Sequence, residues 1–141
     1  MRILGLDYGT NTTGVALSDP LGLTAQGLEI IRRVDPLNIK PTVNRIAEIC
    51  DQYKVDKIVL GLPKNMNDTI GERAQVTLKF KTKLENKLKI PVDMWDERLT
   101  TVAAEHMLID ANVSRAKRKQ VIDKVAAVII LQNYLDSNCV R

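Results

Sequence analysis

The sequence is poor in aromatic rings, in cysteine and in long apolar runs, and each shortage closes off a class of function. One tryptophan, three tyrosines and one phenylalanine in 141 residues leave too few platforms for stacking on unpaired bases to dominate a nucleic-acid contact. The two cysteines, Cys50 and Cys139, stand far apart with no CxxC pair, so neither a zinc site nor a disulfide framework is indicated. Reduced thiols in a cytoplasm are the reading that follows. No stretch approaches the roughly 18 consecutive apolar residues of a membrane span, and the opening MRILGLDYG meets an aspartate before a signal-peptide core could form. The single histidine, His106, has no histidine or cysteine partner close in sequence and reads as an ordinary packed or surface residue.

What is present is the composition of a globular chain. Hydrophobic residues make up 45% and charged residues 27%, enough to bury a core and too apolar for disorder. The length fits one domain over 1–141, with no repeat or linker to divide it. Lysine and arginine total 21 against 17 acidic residues, a mild excess compatible with a polyanionic partner. Its distribution says more, because Arg115, Lys117, Arg118 and Lys119 crowd together with Lys124 close behind.

Periodicity orders the elements. Residues 2–6 form a short apolar run ending in Asp7, and a Gly/Thr/Asn turn leads into a second run over 15–17, which predicts two strands joined by a tight turn. GLEIIRRV (27–34) predicts a third strand. Pro41 suits the first turn of a helix whose apolar positions Val43, Ile46, Ala47, Cys50 and Tyr53 keep the helical period. KIVLGLP (57–63) is apolar on both faces, as in a buried parallel strand. Thr69 and Glu72 have capping-box spacing for a helix running toward Lys87 with a lysine-rich outer face. A strand over 91–96, a short helix over 101–109 and a long helix from the cap Ser114 to about Leu135 complete the chain. This order predicts an α/β fold: a mixed five-stranded sheet, three antiparallel strands followed by parallel ones, flanked by helices.

Three acidic positions invite chemistry. Asp7 ends an apolar strand, where a carboxylate needs a cation, donors or water, although an aspartate there can also simply cap the turn. In DERLTT (96–101) a strand ends in Asp96 and Glu97, which alternation sends to opposite faces; one of them could meet Asp7, or Glu97 and Arg98 could pair at the surface. Asp123 lies in the last helix with Ala126, Ala127 and Ile130 on its stripe, unless it pairs with Lys119 or Lys124 in solvent. Together, Asp7, Glu97 and Asp123 offer the all-oxygen donors preferred by Mg²⁺ or Mn²⁺, and one or two such ions can activate water against a phosphodiester. The basic segment Arg115, Lys117, Arg118 and Lys119 precedes Asp123 and could hold a phosphate backbone, or be a solvated helix face.

Asp7-Tyr8-Gly9 with its Thr/Gly turn, Gly61-Leu62-Pro63, DERLTT at 96–101, and Asp123 with its alanines and ILQ resemble the YqgF/RuvX family, of the ribonuclease H-like superfamily and related to RuvC resolvases. The resemblance runs in order along the whole chain. It implies a ribonuclease H-like fold, a cytoplasmic location and nuclease action at the 5′ end of pre-16S ribosomal RNA, with Holliday-junction resolution as the alternative. It favours Glu97 over Asp96 beside Asp7 and Asp123. Gly61-Leu62-Pro63 stands where resolvases carry an acid, so the second carboxylate has to come from the fifth strand. An actin-like ATPase is disfavoured because one unrepeated domain cannot close around ATP. A non-catalytic nucleic-acid-binding module is disfavoured because clustered acids repel phosphate unless metals intervene.

Overall fold

An apolar run such as KIVLGL cannot face water on either side, and the fold covers it on both. The structure, a computed structural model, describes residues 1–62, 71–96 and 115–138, with the backbone alone at 96, 115–125 and 138. Its elements are β1 (Ile3–Tyr8), β2 (Thr12–Ser18), β3 (Ala25–Arg32), α1 (Lys40–Tyr53), β4 (Lys57–Leu62), α2 (Glu72–Leu88), β5 (Val92–Asp96) and α3 (Arg115–Asn138). The sheet order is β3-β2-β1-β4-β5. The pairs β1–β2 and β2–β3 are antiparallel, whereas β1–β4 and β4–β5 are parallel. This is the mixed five-stranded sheet that the order of elements predicts.

Strand alternation divides the core into two layers. Leu4, Leu6 and Tyr8 of β1, with Ile58 and Leu60 of β4, pack with the buried residues of α1 and α2. On the other face Ile3 and Val59 pack with Ala127, Ile130 and Leu131 of α3. Burial on both faces explains why β4 is apolar at every position but its first. Gln132 then covers the sheet edge, its Oε1 accepting from the Ala25 N–H of edge strand β3 at 2.9 Å and its Nε2 donating to the Leu23 carbonyl at 3.1 Å. No helix among the described residues is long and apolar enough to cross a membrane.

Three boundaries differ from the pattern-based expectation. β3 ends at Arg32; the Arg33 N–H still bonds the Asn11 carbonyl at 2.8 Å, and Val34 beyond it is fully exposed. α2 starts at Glu72 with Gly71 as its N-cap and no side-chain cap, rather than at a Thr69 capping box; Thr69 itself lies outside the described residues. α3 continues to Asn138, beyond Leu135. The 101–109 helix, Ser114 and Cys139 also lie outside the described residues. Cys50 is a free thiol in the core, and burial pushes its pKa up to about 11, which leaves it unreactive.

The end of α3 is fastened to the sheet by a polar triangle. Lys57 Nζ donates to Tyr134 Oη at 2.9 Å, Tyr134 Oη donates to Asp93 Oδ2 at 2.7 Å, and the Lys57–Asp93 ion pair spans 3.1 Å. The Tyr134 hydrogen bond chiefly, with Lys57 assisting, holds the Asp93 carboxyl below its ordinary value. A depressed carboxyl stabilises the fold above its unfolded pKa, and that contribution is lost as pH falls through the folded value. Tyr134→Phe is therefore expected to lower stability by about 1 kcal/mol at neutral pH, and by less once Asp93 is protonated. Thermal unfolding followed from neutral pH into acid measures both, and an equal loss at every pH would count against the coupling.

Candidate active site

The parallel strands bring their carboxyl ends to one edge of the sheet. Leu6 of β1 is level with Leu60 of β4, and Leu60 with Met94 of β5. Asp7, Gly61 and Trp95 each follow by one residue, so the end of β1 meets the ends of β4 and β5 where α/β sheets gather their chemistry. Asp7 is half-buried. Its partner across the β1–β2 ladder is Gly14, which brings no side chain against the carboxylate. As an odd-numbered residue of β1, Asp7 shares the α3 face with Ile3 and Gly5.

α3 approaches β1 more closely than a side chain at residue 5 would permit. A Cβ built on Gly5 would lie 2.7 Å from Leu131 Cβ and 3.2 Å from the Ala127 carbonyl oxygen. Tyr134 is bonded to Lys57, the residue level with Ile3, so the helix passes Ile3 near Tyr134 and Gly5 near Ala127 and Leu131. Its amino-terminal direction therefore leads toward the edge that holds Asp7. Asp123 belongs to α3, one turn before Ala127, and is described by its backbone. Arg115, Lys117, Arg118 and Lys119 occupy the first turns of the same helix, again as backbone. Glu97 and the rest of DERLTT beyond Asp96 lie outside the described residues, as does His106. Among the described residues no group of three acidic, histidine or cysteine side chains gathers at metal-binding distance.

A basic cluster stands behind Asp7 on the opposite face. Tyr8 stacks on Phe80 with ring centroids 3.9 Å apart and planes 12° from parallel. The guanidinium carbons of Arg33 and Arg73 lie 4.5 Å and 5.6 Å from the centroid of the Tyr8 ring. Arg33 Nη2 donates to the Gly9 and Thr10 carbonyls, and Arg73 Nη2 donates to the Tyr8 carbonyl. The turn is closed from within by the Gly9 N–H on the Thr12 carbonyl at 2.8 Å, and a Cβ on Gly9 would come within 2.9 Å of that oxygen. The glycine is thus required by close approach of backbone to backbone.

These two arginines are held at a cost. Burial draws the Arg33 guanidinium below its ordinary pKa; Tyr8 opposes the shift, and the like charge of Arg73 adds to it. The buried Arg33 Nε has no acceptor among the described residues. An unsatisfied buried donor typically costs about 1–3 kcal/mol. Sequence patterns do not single out either residue, although Arg73 leaves one trace. It sits in the first turn of α2, where the helix dipole disfavours a cation.

Comparison with known proteins places this geometry among nucleases. The family model for RuvX, described as a Holliday junction resolvase, matches residues 1–137. A protein of Desulforamulus reducens named "Putative pre-16S rRNA nuclease" is 58% identical over 137 residues, covering 97% of this chain and 98% of its own. A Bacillus mycoides protein of the same name is 61% identical over 137 residues, with 97% and 99% covered. Among solved structures, Thermus thermophilus RuvC in complex with a Holliday junction substrate superimposes with a TM-score of 0.60 at 16% identity, covering 97% of this chain and 95% of that one. The fowlpox virus Holliday junction resolvase gives 0.54 at 16% identity, with 97% and 99% covered. At such identities these two structures speak for the fold, which is that of RuvC.

Proposed function

The chain belongs to the RuvX family, and we propose that it is a cytoplasmic metal-dependent nuclease that trims the 5′ end of precursor 16S ribosomal RNA, with Asp7, Glu97 and Asp123 as its acidic centre. The observation that carries this reading is Asp7 at the carboxyl edge of β1, on the face that α3 covers. From Gly5 to Asp7 the strand rises about 6.6 Å, and from Ala127 back to residue 123 the helix rises about 6 Å. The two steps match and run the same way, which supports Asp123 beside Asp7. Alternation along β5 supports Glu97 over Asp96. Val92 and Met94 belong to the α1/α2 layer and Trp95 to the α3 layer, so odd-numbered positions share a face with Asp7.

An aspartate pair and a glutamate are hard oxygen donors of the type that Mg²⁺ or Mn²⁺ selects. With one or two such ions bound, the site gains a Lewis acid that generates hydroxide from water at neutral pH and stabilises charge on the leaving oxygen. The chain's own residues set the geometry. Gly61, one residue past the Leu6–Leu60 pairing and level with Trp95, brings no side chain of its own to this edge. Arg115, Lys117, Arg118 and Lys119, at the start of the helix that carries Asp123, bind the backbone phosphates that bring the substrate to the carboxylates.

A cleavage assay with Mg²⁺ or Mn²⁺ tests the function, comparing a precursor-rRNA 5′ leader hairpin, single-stranded RNA and a four-way DNA junction. Preferential cutting of the structured RNA is expected. Cutting confined to the DNA junction would move the assignment to the resolvase reading, and no cutting of any substrate would overturn the nuclease. Replacing Arg115, Lys117, Arg118 and Lys119 together by Gln should weaken RNA binding and flatten its salt dependence by roughly 0.7–0.9 log-log units for each phosphate no longer neutralised. An unchanged slope would return the segment to a solvated helix face.

A further inference from the structure

We propose that Arg33 and Arg73, which flank Tyr8 on the face of the sheet opposite α3, form a second phosphate clamp that grips the nucleic-acid backbone next to the phosphate under attack. The inference rests on the nuclease reading for its substrate class and goes beyond the acidic centre to a separate contact. Two guanidiniums stand about one ring, 4.5 Å and 5.6 Å from its centroid. Neither forms an ion pair with a carboxylate among the described residues; the four ion pairs found there use Arg45, Lys57 and Lys81. What holds them is a π face, three successive main-chain carbonyls, those of Tyr8, Gly9 and Thr10, and the Thr13 hydroxyl at 3.5 Å from Arg33 Nη1. Such partners fix the position of a cation without cancelling its charge.

Like charges held together with no counter-ion among the described residues create a site for an anion, and the position of this one defines which. Tyr8 directly follows Asp7 and points to the other side of β1. A polyanion crossing the carboxyl edge of the sheet thus meets the acidic centre on the α3 face and the arginine pair on the α1/α2 face. Only a chain carrying several phosphates can engage both, so the ligand is a nucleic-acid strand rather than a mononucleotide. Thr10 and Asn11, exposed at the tip of the turn, add polar groups on the same edge. Arginine suits the task better than lysine because its planar fork can hold a carbonyl and still offer N–H groups to phosphate oxygens, as at Arg73, where one Nη2 bond goes to the Tyr8 carbonyl.

Arg33→Gln, Arg73→Gln and Arg73→Lys, read by binding rather than cleavage, test the clamp. The probe is a fluorescent RNA hairpin with a single-stranded 5′ extension, titrated by anisotropy in EDTA across a range of salt concentrations. Each Gln variant should weaken binding and lower the log-log salt slope by about 0.7–0.9, whereas Arg73→Lys should keep the slope and lose part of the affinity. Slopes equal to wild type would overturn the clamp, leaving the arginines as braces of the turn. If Arg33→Gln fails to fold, Arg73→Gln carries the test, since it gives up a single main-chain hydrogen bond. A protein that binds with Arg-dependent slopes but never cleaves would sink the nuclease and keep the clamp; one that cleaves with unaltered slopes would do the reverse. A wild-type protein that binds neither this hairpin nor its DNA equivalent would end both.

Discussion

Asp7→Asn is expected to lower metal-dependent cleavage by about two to four orders of magnitude, because a bound ion supplies several kcal/mol of transition-state stabilisation and each factor of ten corresponds to about 1.4 kcal/mol. The amide keeps the volume of the carboxylate and loses the charge that holds the cation. The fold should survive the change, since Asp7 joins the β1–β2 ladder through its main chain opposite Gly14. A second measurement separates metal loss from other damage. Binding to the native state alone raises stability by about 2.7 kcal/mol when the ion is present at a hundred times its dissociation constant. Mn²⁺ should therefore raise the melting temperature of the wild type and leave Asp7→Asn nearly unmoved. A variant that still cleaves at the wild-type rate, or that gains the same stabilisation from Mn²⁺, would remove Asp7 from the centre.

How much of this could be read from the chain alone depends on whether the signal was local. KIVLGL announces a strand buried on both faces because each of its residues carries that information, and β4 duly lies between two layers of helices. Asp7 stood out for the same reason, as a charge at the end of an apolar run. The arginine clamp is of another kind. Arg73 reaches the Tyr8 carbonyl across 65 positions of sequence and Arg33 reaches Gly9 across 24, so neither contact leaves a spacing to recognise. The Lys57–Tyr134–Asp93 triangle joins three elements in the same way. The start of α2 differs for a subtler reason: the Thr69 and Glu72 spacing fits a capping box, yet Gly71, in an extended conformation, serves as the cap.

Gly5 carries the second large expectation, and it links packing to catalysis. A glycine inside an apolar strand normally weakens it, unless another backbone approaches closely. Here Leu131 Cβ and the Ala127 carbonyl occupy the space where a Gly5 side chain would be. Gly5→Ala should therefore force α3 away from β1, with a loss of about 2–3 kcal/mol and roughly 10 °C in melting temperature. Trimming Leu131 to Ala cannot relieve the clash, because the obstructing atom is the Cβ that alanine keeps. The displaced helix is the one that carries Asp123, and a shift of about 1 Å in a catalytic group can cost on the order of a hundredfold in rate. Cleavage measured well below the melting transition should thus fall by about ten- to a hundredfold in protein that is fully folded. Affinity for the RNA hairpin in EDTA should change far less, since a helix shift of about 1 Å keeps the charges of Arg115, Lys117, Arg118 and Lys119 within reach of the phosphates, and Arg33 and Arg73 lie on the opposite face of the sheet. A Gly5→Ala protein that melts and cleaves like the wild type would show that α3 can yield without moving the centre, and would detach Asp123 from Asp7.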